Sequence, residues 1–354
     1  MSIRKIPTLC IPGLAALLAG CSMNMDHDSM GNPTTAPIPA ITYDALFVVN
    51  GGGNSISVIN AATNEVAGTI ALKDATFPHH LYISPDRASL ALAVPGMDLS
   101  GGHGGGHGGM AMKGAILKLN ALTGATEASR VLDASNHNGV FSPDGKEIWT
   151  SQMTMPGKIL VLDAGSLKTL KTIEAGDMPA EVTFSSDGKY AFAANGMTDN
   201  VTVLDAATKA IIKTIPVGSN PVGAWPGPDS LLFVDNEEGK SITVIHASKL
   251  DSVKTIALGF MPGMAAVAPS GELWVTDSEN GKVAFFSIGT GAKLGETATG
   301  AGAHGIAFSG DGQTAYVSNQ GAASISVLNT ATKAVTLSIS VGAEPNGMVF
   351  RKRP

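Results

Sequence analysis

Three of the eight histidines stand at one position of a recurring pattern. His79, His137 and His304 each lie five residues before the serine of an S-P-D-G-like turn, at Ser84, Ser142 and Ser309. Neutral imidazole offers one nitrogen lone pair and binds transition metals at about 2.0–2.1 Å, so imidazoles repeated at one structural position are candidate ligands. Soft donors accompany them. Residues 95–114, PGMDLSGGHGGGHGGMAMKG, carry Met97, His103, His107, Met110 and Met112 in a glycine background that cannot form a core. QMTMPG carries Met153 and Met155, and MNMDHDSM near the start carries Met23, Met25, His27 and Met30. Thioether with imidazole suits copper better than magnesium or calcium, and thioether favours Cu(I). The expectation is an inner site of three histidines, served by the Met/His loops and by a capture motif nearer the N-terminus.

Those residues are positioned by repeats. The turn recurs as SPDR at Ser84, SPDG at Ser142, SSDG at Ser185, GPDS at Gly227, APSG at Ala268 and SGDG at Ser309, with Arg351 at the equivalent place in the final segment. The intervals are 58, 43, 42, 41, 41 and 42, so one repeat is about sixteen residues too long. Within each repeat apolar residues alternate with period two, as in ALFVVN, SISVIN and EVAGTIAL, which predicts half-buried strands separated by Gly/Asn turns. Adding the strand before each turn gives four per repeat. Such units bury two faces only by packing on neighbours, and radial repetition gives an all-β, seven-bladed propeller. The first repeat lacks its innermost strand, and AEPNGMVFRKRP at the C-terminus supplies it, closing the ring.

Aligning the seven inner strands on their turns puts Asn346, His79, His137, Ala180, Val222, Gly263 and His304 in one register. The three imidazoles and Asn346, an auxiliary group at the channel mouth, therefore come from consecutive blades seven, one, two and three. With sheets about 10 Å apart the ring has a radius of roughly 11 Å at these strands, so His79 and His304 stand at the limit of common reach. The extra residues of blade two fall between its second and third strands, on the face that carries the histidines. His80 is expected to point into its own blade and His246 to be structural. Asp235, Glu237, Glu238, Asp277 and Glu279 are expected to be solvated.

FVVN, YVSN, WVTD, SVIN and TVLDAATK resemble the YVTN repeat, over nearly all residues from Tyr43 to Phe350. That resemblance implies a seven-bladed propeller and leaves the activity open, because propellers of this type include binding proteins, lactonases and haem- or copper-bearing domains of periplasmic reductases. At the N-terminus Arg4 and Lys5 precede an apolar run that ends in Leu18-Ala19-Gly20-Cys21. The box is similar to that of bacterial lipoproteins, which implies acylation of Cys21 and, with Ser22 following, the periplasmic face of the outer membrane. The expected organisation is a signal peptide over 1–20, a flexible tether over 21–42 and the propeller over 43–354.

Cys10 leaves with the signal and Cys21 is acylated, so no disulfide is expected. Taking Arg4 and Lys5 from the 23 basic residues leaves 21 against 29 acidic ones, a formal charge of −8 that disfavours nucleic acid. There is no CxxCH for covalent haem, and no P-loop or nucleotide fingerprint. Trp149, Trp225 and Trp274 occupy three blades only. The leading expectation is a monomeric, non-enzymatic, lipid-anchored binder of a transition metal, copper first. Its rivals are an envelope scaffold for a protein partner and a lactonase-like or reductase-related enzyme, for which no nucleophile or general base is evident.

Overall fold

The computed structural model describes residues 31–100 and 112–353. The alternating segments form strands, and these assemble into seven antiparallel sheets, six of them of four consecutive strands and the seventh, blade one, of three consecutive strands with the C-terminal strand and a further short strand at its outer edge. Blade two comprises Leu81–Ile83, Ser89–Val94, Ala115–Asn120 and Thr126–Val131 from the axis outwards, and the other blades repeat this order. Blade one is completed from the far end of the chain: Pro345–Arg351 pairs with Ala45–Asn50, with Ala45 opposite Arg351 and Val48 opposite Met348. The ring is closed as expected.

Period-two alternation lets one strand serve two neighbours. In Ala45–Asn50, Phe47 and Val49 pack on Leu90, Leu92 and Leu117 of blade two, while Leu46 and Val48 pack on Tyr316 and Ile325 of blade seven. All of these side chains are buried, at about 25 cal/mol per Å² of apolar surface removed from water. The repeated motif residues close the hairpins. The Asn ending the second strand donates to two side chains of the third: Asn50 to Ser55 and Ser57, Asn236 to Ser241 and Thr243, Asn319 to Ser324 and Ser326. Blade two has Val94 at that place, and there the long loop is inserted.

One expected boundary is corrected. The latter part of the predicted tether is docked: Thr34–Thr35 pairs with Leu72 and Lys73, the Ile38 and Ile41 amides donate to the Thr123 and Leu122 carbonyls, and Ile41 is fully buried. The segment straps blade one to blade two because Ile41 brings apolar surface to their shared core.

Arg351 ties this strap to the closing strand. Its guanidinium is buried, donates to the carbonyl of Ala121 at 2.8 Å and to that of Ile41, and lies over the Phe47 ring. Replacing Arg351 with Met should lower unfolding free energy by about 2–4 kcal/mol, because two buried carbonyls lose a charged donor. Urea denaturation measures it, and a loss under about 1 kcal/mol would show that the closure does not depend on this contact.

Candidate metal centre at the channel mouth

A β-bulge heads the inner strands. In blade four Pro179 pairs with Asn195 and Val182 with Ala193, so Ala180 and Glu181 together oppose one residue of the partner strand. The same shift occurs in blades one, five, six and seven. In blade two, Ala93 accepts from the His79 amide and donates to the His80 carbonyl, each at 3.0 Å. A bulge re-aims the side chains at its position, so successive residues need not point to opposite faces. His80, expected to turn into its blade, instead stands beside His79 with ring centroids 4.4 Å apart.

His79, His80 and His137 each bring a nitrogen within 4.8 Å of the others, and all three side chains are buried. The Nε2 atoms of His79 and His137 face each other at 3.1 Å. His304, from blade seven, adds a fourth ring with centroids 5.9 Å from His79 and 6.0 Å from His80. The far nitrogens are tied down. Nδ1 of His137 lies 2.9 Å from a Glu181 carboxylate oxygen, and Nδ1 of His79 lies 2.5 Å from the Asn346 amide. The terminal oxygen of Asn346 is buried without a partner among the described residues, and a half-turn of the amide presents it to the Nδ1–H of His79. With both Nδ1 atoms protonated, two Nε2 lone pairs converge, and they need a proton or a cation between them. Bonds of about 2.05 Å from one ion to nitrogens so spaced would subtend roughly 100° at the ion, an angle compatible with four-coordination.

Below the imidazoles the channel holds two buried carboxyls. Glu181 is fully buried and accepts from the Tyr82 hydroxyl and from Asn138 Nδ2 at 2.7 Å. Burial pushes its carboxyl up to about 8, against the opposing effect of those two donors, and Asp235 adds to the rise. Asp235 is itself held well above the usual carboxylate range by burial, although Trp225 Nε1 donates to it at 2.6 Å. Burial, and then the neighbouring Glu181, raise the Tyr82 phenol. Missing side chains make this room. A Cβ on Gly223 would lie 2.2 Å from the Asp235 carboxylate, and one on Gly347 would lie 2.6 Å from Nδ1 of His80.

The remaining expected site residues are scattered. Met153 is half-buried, with its amide on the Ser135 carbonyl two residues before His137, and Met155 is two-thirds exposed. Met112 is half-buried. His103, His107, Met110, Met23, Met25, His27, Met30 and Cys21 lie outside the described residues. The base of the blade-two loop is on the expected face: Asp98, Leu99 and Ser100 bound, with His79 and Asn346, a cavity of about 10 Å³. Of the acids expected in solvent, Asp235, Glu237 and Asp277 are buried, whereas Glu238 and Glu279 are exposed. They turn inward because they end or follow second strands at the channel side, where Trp225, Asn220 and Asn280 offer donors. His246 ends a third strand, half-buried, and does not belong to the imidazole group of His79, His80 and His137.

No family model and no curated protein matches the chain. Solved structures do match. The periplasmic gluconolactonase PpgL of Pseudomonas aeruginosa is similar over 88% of this chain and 99% of its own, at 20% identity and a TM-score of 0.70. A putative 6-phosphogluconolactonase from Bacteroides fragilis is similar over 89% and 100%, at 18% identity and 0.68. The dihydro-heme d1 dehydrogenase NirN is similar over 88% and 76%, at 14% identity and 0.61. At such identities the likeness is one of fold: a seven-bladed β-propeller, shared with lactonase-like structures.

In the metal-free protein Glu181 ionises near 8 when folded but near its ordinary 4.5 when unfolded. Its contribution to stability is full below 4.5 and is lost as pH rises to about 8, because unfolding then releases a proton. Glu181→Gln should flatten that decline. Thermal unfolding in chelator from pH 5 to 8 tests it; identical slopes in the two proteins would mean that the carboxyl is not held neutral.

Proposed function

We propose that the protein binds a single transition-metal ion at the channel mouth, through His79, His80 and His137, with His304 as a further donor. The carrying observation is the convergence of three buried imidazole nitrogens within 4.8 Å, two of whose rings are oriented from behind by Glu181 and Asn346. A bound cation would favour ionisation of Glu181, which is held neutral in the metal-free protein, and a carboxylate behind a ligating imidazole fixes its tautomer and strengthens it as a donor. An imidazole set suits copper, zinc, nickel or iron. Copper is favoured because Met112, Met153 and Met155 belong to the loops of blades two and three, and the sequence of the blade-two loop adds His103, His107 and Met110. Met23, Met25, His27 and Met30 would capture the ion on a chain held to the membrane through an acylated Cys21. On this reading the protein is a lipid-anchored periplasmic binding protein of the YVTN-repeat type.

Calorimetric titration of Cu(I), Cu(II) and Zn(II) into the full chain tests the site. His79→Ala and His137→Ala should each weaken binding at least about 100-fold, one tightly held ligand being worth several kcal/mol. His304→Ala should cost less, about tenfold. Unchanged affinity in the His79→Ala, His137→Ala double variant removes the inner site.

A lactone hydrolase is the second reading, favoured by the Glu181 carboxyl at about 8, a value fitting a general base near neutrality. Hydrolysis of gluconolactone that is lost in Glu181→Gln and kept in His79→Ala would favour it over metal binding.

A further inference from the structure

The turn-bearing end of the channel holds a pocket that the metal reading does not use, although the inner side of its Trp225 ring lies 5.9 Å from the ring of His80. The inner strand of blade two runs from His79 at the mouth to Ser84 at the turn, about 16 Å away at 3.3 Å per residue. There a cavity of about 390 Å³, the size of a small-molecule site, opens between blades two to five. Tyr82, Phe141, Phe184 and Trp225 line it with aromatic surface. Pro85 and Pro143, from the turns of blades two and three, and Pro226, which ends the inner strand of blade five, stiffen the rim. The turn of the next blade supports each of the first two: Gly145 lies against Pro85 and Gly188 against Pro143. Such a rim loses little freedom on binding.

One charged residue, Arg87, lines this pocket. It is exposed, and its position is informative. In the turns of blades three, four and seven the same place is taken by Gly145, Gly188 and Gly312, with φ of 72°, 70° and 73°. Arg87 adopts φ 60° there, in the left-handed region that glycine enters freely and other residues enter at a cost. The turn of blade two thus holds a cation where its own backbone geometry favours glycine. The polar ends of Tyr82 and Trp225 are spent inward on Glu181 and Asp235, which leaves ring faces and edges for a ligand.

We propose that this lower mouth binds a small aromatic anion, of one or two fused rings with a carboxylate or similar group. The rings lie against Trp225 and Phe141 in the apolar cavity and the anion meets the Arg87 guanidinium at the rim, a charge-assisted contact in planar geometry. The site does not need a metal at the other end, and it is tested in chelator because the Trp225 ring stands 5.9 Å from that of His80.

The probe is 2-naphthoate, with neutral 2-naphthamide as its control, titrated into the full-length chain while the indole N–H signals of the three tryptophans are followed by NMR. Trp149 and Trp274 are wholly buried and do not line the pocket, so the Trp225 signal alone should shift, saturably, at submillimolar naphthoate. Arg87→Gly, which restores the residue the turn favours, should fold at least as stably. It should weaken naphthoate about tenfold and leave naphthamide unchanged. No saturable Trp225 shift at 10-fold higher concentration than that expected would overturn the proposal. Equal binding of acid and amide, or undiminished naphthoate binding by Arg87→Gly, would do the same.

Discussion

The mouth of this propeller depends on a single irregularity, the extra residue at the head of its inner strands. In a regular strand consecutive side chains point to opposite faces, and a pair such as His79-His80 is split between channel and core. Where two residues oppose one, the backbone twists and both can project toward the mouth. That is how blade two contributes two imidazoles. It is also how blade four contributes Glu181 from the position beside Ala180. The bulge recurs around the ring, so what each blade offers the channel depends on which residues occupy those two places.

They are occupied unequally. Blades two and three bring imidazoles and Asn138, blade four a carboxyl, and blades one, five and seven bring Gly347, Gly223 and Gly305 at the equivalent place. The glycines are as necessary as the polar side chains, since a Cβ at Gly347 would press on His80 and one at Gly223 would displace Asp235. A closed ring of near-identical repeats thereby acquires an asymmetric centre. Ring closure comes first: the strand that carries Asn346 and Gly347 reaches the mouth only because Pro345–Arg351 returns to pair with Ala45–Asn50.

The channel has two chemically distinct ends. Nitrogen donors meet at the loop-bearing mouth, apolar rings and one guanidinium meet at the turn-bearing mouth, and neutralised acids lie between. Removing Glu181 and Asp235 from water disfavours their charged forms, and the donors Tyr82, Asn138 and Trp225 offset only part of that cost. The His137–Glu181 pair is the link between the two ends: the same carboxyl that steadies an imidazole receives the Tyr82 hydroxyl from below.

Much of this was legible in the residues alone. Period-two alternation, turn spacing and the missing first strand specify seven blades and their closure, because burial on both faces of a sheet leaves a local, repeating trace. That trace also placed His79, His137, His304 and Asn346 in one register, and the long loop on their face. His80 was not legible, since alternation by itself turns it away and a bulge is a pairing defect that appears only when two strands are laid together. Burial of Asp235, Glu237 and Asp277 was hidden for a related reason. Whether a loop carboxyl meets water or the channel depends on the side chain absent opposite it, as at Gly223, and on donors such as Trp225 and Asn220 that the chain brings alongside only when folded. The docked strap of Thr34–Thr35 and Ile41 likewise has no period of its own, and its place follows from the apolar seam between blades one and two. Sequence determined the ring and most of the register at its mouth through local repetition; the tertiary structure decided which neighbours of those imidazoles face inward, because that depends on strand pairing and on space left by residues distant in the chain.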